Sequence, residues 1–404
     1  MDIKNIRTFF PWFKNNPGLI YFDTAATSLK PQCVIDKINY YYTHQSTNPH
    51  NTDSIFCHSI YQDVENARST IANFINANAN EIAFNSGATE GINLVANAIR
   101  SIIKPNDEIV LTYGEHASNL LPWINLANEL NIKIKYIGSK NNYISLEDFK
   151  NALSPKTKLV AFANRFNLTG YRLNETEITN AIKDYNPNIL VLIDATQSIQ
   201  HSQVDVQKTK CDFLVFSGHK LFGPTGIGGL YIKQNLQNFI KPLRNGGGMN
   251  FSIDESSYEL IDNVHKYEGG TQNIAGILGL AAAVQFLQSI GYEQIQAHEK
   301  ELSSYAIKKL SSIKQIIIYN SSYDSPIISF NYEGVFSQDL ANYLGSKNII
   351  VRSGLSCAKL YCKLIDTSSL VRISLYVYNT KEEIDKLFEV LKNFKRGDEL
   401  NGII

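Results

Sequence analysis

The chain has 404 residues, with 38 Lys+Arg balanced by 38 Asp+Glu, 8 His and five Cys. A chain this long outgrows a single core, which predicts two domains or one large sheet domain with an appendage; its even charge excludes the basic field expected of a nucleic-acid or anionic-membrane binder and favours a small-molecule partner. Cys33, Cys57, Cys211, Cys357 and Cys362 form an odd set without CxxC spacing, which argues against a disulfide framework or structural zinc and predicts a reducing, cytoplasmic setting with no metal. The most apolar later run, Ile274 to Val284, is too short to span a bilayer, and the N-terminus has no apolar signal core.

In chain order, Phe9, Phe10, Trp12 and Phe13 around Pro11 predict an aromatic arm, followed by a short strand at Leu19 to Phe22. From Ser59, Ile60, Val64, Ala67, Ile71, Phe74 and Ile75 recur at helical spacing, so one face is buried. The strand Glu81 to Phe84 then runs through Asn85-Ser86-Gly87-Ala88-Thr89-Glu90-Gly91 into a helix. Such a turn aims backbone NH groups and the positive helix end at an anion, although a glycine-bearing turn is common and weak evidence alone.

Alternation continues with strands at Glu108 to Thr112, Ile132 to Ile137, Lys158 to Ala163 and Ile189 to Ile193. Between them lie helices at Ser118 to Leu130, Ser145 to Leu153 and from about Asn174. This pattern predicts an α/β fold with a mostly parallel sheet, helices on both faces and ligands at the carboxyl ends of the strands. Thr89, His116, Asn167, Asp194, Gln197 and Lys220 all follow predicted strands and are therefore placed at one crevice. Beyond Phe213 to Phe216 and Gly229 to Lys233, long helices are predicted at Ala275 to Ile290 and Tyr292 to Ile313. The pattern then changes to strands at Ile316 to Tyr319, Ile327 to Tyr332, Ile349 to Val351 and Val371 to Tyr376, with helices at Ser337 to Leu344 and Thr380 to Phe394. Thr380 and Glu383 form a capping-box pattern for the last helix.

A lone lysine is ordinarily a solvated surface group. Lys220, in Ser217-Gly218-His219-Lys220 after an apolar strand, instead combines an amine suited to Schiff-base chemistry with neighbours suited to an anion, as pyridoxal 5'-phosphate (PLP) requires. With Asp194-x-x-Gln197 and Arg352-Ser353-Gly354-x-x-Cys357-Ala358, this motif resembles the fold-type I PLP enzymes of aminotransferase class V. Within that class the chain is similar to group II, SUF-type cysteine desulfurases. Tyr21-Phe22-Asp23-x-Ala25-Ala26, Gly87-x-Thr89-Glu90-Gly91-Ile92-Asn93, Glu115-His116 and Gly223-Pro224-Thr225-Gly226 extend the likeness from about Gly18 to Phe394.

The resemblance implies a large PLP-binding domain over residues 19–285, with a mostly parallel seven-stranded sheet covered by helices, and a smaller α+β domain from residues 1–18 and 286–404. It implies that Lys220 holds PLP and moves the Cα proton, Asp194 pairs with the ring nitrogen, and His116 is catalytic, covering the ring and moving a proton. Gln197 and Asn167 would bind the phenolic oxygen, with Asn167 also near the substrate carboxylate. Thr89, Ser217 and His219 would form the phosphate cup, completed by Thr271 from the partner subunit of a homodimer, with Ala88 also binding the cofactor. Arg372 would clamp the substrate carboxylate. Cys357 would attack the sulfur of L-cysteine, leaving a persulfide and L-alanine, with Arg352 a candidate for stabilising its thiolate. The sulfur would pass to an acceptor protein of iron-sulfur cluster assembly.

Three segments depart from the family pattern. Asn51-Thr52 follow His50 where Arg-Gly is usual, Leu355-Ser356 stand where two histidines are common, and Phe166 replaces a small residue before Asn167. These changes concern the setting of Cys357, the dimer contacts and the acceptor. The competing readings are a selenocysteine lyase, an aminotransferase for which Cys357 has no use, and a catalytically silent scaffold.

Overall fold

The computed structural model describes residues 3–49, 53–139, 143–319 and 325–398. Its fifteen strands in chain order are β1 Ile20–Tyr21, β2 Ile82–Asn85, β3 Glu108–Thr112, β4 Lys133–Ile137, β5 Thr157–Ala163, β6 Leu190–Asp194, β7 Phe213–Ser217, β8 Gly228–Ile232, β9 Asn250–Ile253, β10 Tyr258–Leu260, β11 Ile316–Ile318, β12 Ile327–Tyr332, β13 Ile349–Ile350, β14 Arg352–Gly354 and β15 Leu370–Ser374. Seven of them form one sheet in the order β2-β8-β7-β6-β5-β3-β4. Only β8 runs against its neighbours, pairing antiparallel with both β2 and β7. The sheet is therefore mostly parallel and seven-stranded, as the sequence predicts.

The strands read as continuous apolar runs because both faces are covered. Val160, Phe162, Val191, Ile193, Leu214 and Phe216 point into one buried cluster, which includes the helix Ile274–Ile290. Their alternates Leu159, Ala161, Leu190, Leu192, Phe213 and Val215 point into the other, against the helices Ala88–Ala98 and Leu121–Leu130. That two-residue alternation is the pleat itself.

A second sheet, in the order β11-β12-β15-β14, is antiparallel. It buries Phe330, Val371 and Ile373 with Leu302, Leu310, Leu387 and Leu391 of the helices Tyr292–Ser311 and Lys381–Asn393. The last helix carries the expected capping box, with Thr380 accepting from the Glu383 NH and Glu383 accepting from the Thr380 NH. The parallel pair β1–β13 ties residues near the N-terminus to this region. In the N-terminal arm, Phe10 packs edge-on against Phe286 and Tyr378 and tilts against Phe222.

Several elements lie beyond the sequence reading: the helices Gln32–Tyr40 and Lys359–Leu364, the exposed hairpin β9–β10, and strand β14. The helix read from Ser59 begins earlier, at Ile55, because the Ser54 side chain accepts from the Cys57 NH and caps it. The helix read from Ser118 starts as a 3-10 turn, Ala117–Asn119. Among the described residues no single helix is long and apolar enough to cross a membrane.

Candidate active site

The parallel topology brings the carboxyl ends of β2, β3, β5, β6 and β7 to one rim, and the loop that follows β14, with Ser356 and Cys357, lines the cavity there. The resulting cavity, about 370 Å³, is lined by Ala88, Thr89, His116, Asn167, Asp194, Gln197, Ser217, His219, Lys220, Cys357 and Arg372. All the sequence-predicted site residues meet there except Thr271, which lies exposed on the turn before the helix Ile274–Ile290 and does not line this cavity. His50, Asn51 and Thr52 lie outside the described residues.

Lys220 ends a short 3-10 turn, Gly218–Lys220, that leaves β7. Burial lowers its amine to about 8, against the nearby Asp194 carboxylate and with Arg372 adding to the fall. A substantial neutral fraction is thereby available at mildly alkaline pH, as a nucleophilic amine needs. The peptide before it is fixed by four donors converging on the His219 carbonyl: Ser28 N at 3.0 Å, Thr27 Oγ1 at 3.0 Å, Ser28 Oγ at 3.1 Å and Lys30 Nζ at 2.8 Å. Lys30, which sequence reasoning missed, also donates to the Ser28 carbonyl at 2.5 Å, and burial lowers its amine to about 7.

Asp194 ends β6, is 5% exposed, and accepts from Thr196 N at 3.0 Å through Oδ1. His116 caps the 3-10 turn after β3, its Nδ1 accepting from Ser118 N at 3.1 Å, so the neutral ring carries its proton on Nε2. Burial, then Lys220, lower its pKa despite Asp194. Ser118 Oγ lies 3.0 Å from His116 Nδ1 and 2.7 Å from Thr89 Oγ1, linking the histidine to the first turn of the helix Ala88–Ala98. Ala88 N donates to Ser217 Oγ at 2.9 Å. Burial, with Lys220 and Lys30 nearby, lowers His219 to about 4, so at neutral pH it offers a neutral NH rather than an imidazolium.

Beneath His116, Glu115 is fully buried and accepts from Thr112 Oγ1 at 2.6 Å, Asn119 Nδ2 at 2.7 Å and Ala163 N at 3.0 Å. It anchors the β3 and β5 ends to one another. Burial pushes its carboxyl up to about 8 against those donors.

The second sheet supplies the opposite wall. Arg352 on β14 is in register with Arg372 on β15. Arg372 donates through Nη1 to the Asn167 carbonyl at 2.8 Å and through Nη2 to Asp23 Oδ1 at 2.9 Å. Cys357 is exposed, and it and Ser356 take left-handed conformations, φ 59° and 44°. Two cross-connections hold this strained turn in place: Asn167 Nδ2 donates to the Ser356 carbonyl at 2.6 Å, and Ala117 N to the Cys357 carbonyl at 2.9 Å. The side chain of Cys357 thus shares the cavity with Lys220 while reaching solvent.

The residues present fit PLP. Asn167 Oδ1, Thr196 Oγ1, Gln197 Oε1 and Arg372 Nε all belong to cavity-lining side chains and are buried without a hydrogen-bond partner. Such groups cost roughly 1–3 kcal/mol each unless a ligand satisfies them. Gln197 Nε2 gives one hydrogen to the Ala25 carbonyl at 2.8 Å, leaving its second for a ligand oxygen. An amine, a carboxylate, a helix N-terminus with hydroxyls and a guanidinium match an aldehyde, a ring nitrogen, a phosphate and a substrate carboxylate, respectively.

Fold and site together define a PLP-type enzyme of the α/β class, and residues 20–387 match the aminotransferase class-V family model. The chain belongs to that family. It is 53% identical over 402 residues, covering 100% of both chains, to a probable cysteine desulfurase of Ureaplasma parvum serovar 3. It is 37% identical to a cysteine desulfurase of Wigglesworthia glossinidia brevipalpis, covering 96% of each chain. Among solved structures, the apo cysteine desulfurase of Thermococcus onnurineus NA1 superposes with a TM-score of 0.92 at 33% identity, covering 96% of this chain and 97% of that one.

Proposed function

We propose that this protein is a PLP-dependent cysteine desulfurase that converts L-cysteine to L-alanine and retains the sulfur as a persulfide on Cys357. The observation that carries this reading is the placing of a buried lysine of lowered pKa and a solvent-reaching cysteine in one cavity, opposite a buried arginine. PLP, when bound, supplies an electron-withdrawing ring that acidifies the Cα–H of an attached amino acid.

The chain's own groups do the rest. Lys220 Nζ holds the cofactor and takes the Cα proton. Asp194 keeps a proton on the ring nitrogen, and Ala88, Thr89, Ser217 and His219 bind the phosphate. Arg372 and Asn167 orient the carboxylate, while His116 covers the ring. The Cys357 thiolate attacks the substrate sulfur: a Cys357 Sγ–S bond forms as the substrate Cβ–S bond breaks, and the electron pair stays with carbon. That carbon takes up protons and leaves as L-alanine, so no external oxidant or reductant is required.

The exposed position of Cys357 supports onward transfer of the sulfur to the thiol of an acceptor protein in iron-sulfur cluster assembly. Exposed Thr271, away from its own cavity, supports a homodimer in which it completes the partner's phosphate cup. The five free cysteines support a reducing, cytoplasmic setting. The test is incubation of purified holoenzyme with L-cysteine, measuring alanine and bound sulfane sulfur. Wild type forms both, Lys220→Ala loses the yellow cofactor absorbance, and keto-acid-dependent amino transfer without persulfide would overturn the reading.

A further inference from the structure

Beside the wall that carries Asn167 lies a second cavity of about 410 Å³, lined by residues that include Arg165, which also borders the first cavity, with Arg172, His201, Glu299 and Lys300. Arg165 and Arg172 face each other across an isolated antiparallel bridge, which places both side chains on the same side. Like charges directly opposite repel unless something lies between them. Arg165 is only 7% exposed, its Nε has no hydrogen-bond partner, and its Nη1 reaches only the Gly170 carbonyl, at 3.3 Å.

The nearest carboxylates, Glu299 and Glu175, compensate only in part, since burial still lowers the Arg165 pKa despite them. Glu299 is held by His201 Nδ1 at 2.6 Å, and Glu175 stands 3.9 Å from Arg172. A buried guanidinium with an unpartnered Nε, lining one cavity with a second guanidinium, has the donor set of an oxyanion site. We propose that Arg165 and Arg172 bind a small oxyanion of the phosphate or carboxylate class in this cavity. The anion ties together the two ends of the turn whose tip carries Asn167. Gly170 in that turn has φ +67° and an added Cβ would meet Ser325 Oγ, so the turn admits little rearrangement.

The test is thermal unfolding of PLP-saturated enzyme titrated with inorganic phosphate, or separately with acetate, at ionic strength held constant with chloride. The expected result is a saturable rise in the unfolding temperature with unchanged cofactor absorbance, the stronger arm identifying the anion class. Arg172→Gln, on a half-exposed side chain, is expected to weaken that response about tenfold, a loss of about 1.4 kcal/mol in binding, without changing anion-free activity. Arg165→Lys, which keeps the charge but loses the fork, is expected to weaken it as well. No saturable rise, a rise accompanied by loss of cofactor absorbance, or equal responses in wild type and Arg172→Gln would each overturn the proposal.

Discussion

Glu268 gives the sharpest test of how the site is held. It opens the Glu268-Gly269-Gly270-Thr271 turn and pairs bidentately with buried Arg68, Oε1 to Nη1 at 2.6 Å and Oε2 to Nη2 at 2.8 Å. Oε1 also accepts from Phe84 N at 2.6 Å, and Arg68 donates to the Ile82 carbonyl at 2.7 Å. One ion pair therefore ties the Thr271 turn to β2, the strand that delivers Ala88 and Thr89. Arg68 holds the Glu268 carboxyl down to about 2 despite burial. Relative to an ordinary glutamate, that shift corresponds to about 3 kcal/mol at neutral pH, and removing one partner of a buried pair costs about 3–5 kcal/mol. Because the folded pKa is depressed, this stability is present above the ordinary glutamate range and is lost as pH falls toward 2. Glu268→Gln, which keeps the shape and an acceptor for Phe84 N, is expected to lose about 3 kcal/mol in urea unfolding at neutral pH. Its deficit should shrink steadily with acidification. A variant within about 1 kcal/mol of wild type at neutral pH, or a deficit independent of pH, would refute the argument.

Other outcomes follow from the same geometry. Capture of PLP by the apoenzyme should accelerate as pH rises through about 8, where Lys220 becomes neutral; a midpoint near the ordinary lysine value would contradict its burial. Lys30→Met removes one of four donors from the His219 carbonyl and the ammonium beside it. It should therefore blue- or red-shift the cofactor band and weaken cofactor retention, while Lys30→Arg keeps more of both, as measured by absorbance and equilibrium dialysis. Gly114→Ala places a methyl 2.7 Å from the Phe166 ring, so it should cost about 1–3 kcal/mol, and Phe166→Ser should rescue it in a thermal-unfolding double-mutant cycle.

Much of the site was legible because its chemistry sits in contiguous motifs at strand ends: Ser217 to Lys220 after β7, Asp194 to Gln197 after β6, and Thr89 after β2. The alternation of strands and helices alone placed them on one rim. Lys30 was not legible, since its acceptor is a backbone carbonyl 189 residues away. Nor were Arg165 and Arg172, whose pairing depends on a bridge inside a loop. The helix Gln32–Tyr40 has Pro31 at its cap, no side-chain cap bond and no acidic residue in its first turn, so it lacks the usual start signals. Strand β9 is exposed throughout, Phe251 and Ile253 included, and so shows no buried face for alternation to reveal. Phe166 was legible as a departure, but its reason, filling the space over Gly114, required the fold.

The central claim is that Lys220 prepares the substrate and Cys357 takes its sulfur. Its most direct measurement is peptide mass spectrometry of holoenzyme after one turnover with L-cysteine, comparing wild type with Cys357→Ala. The account predicts sulfane sulfur on the Cys357 peptide of wild type, and in the variant an intact cofactor band with alanine formation slowed by about 10²-fold or more. Sulfur found instead on Cys33, Cys57, Cys211 or Cys362, or undiminished alanine formation by Cys357→Ala, would contradict it.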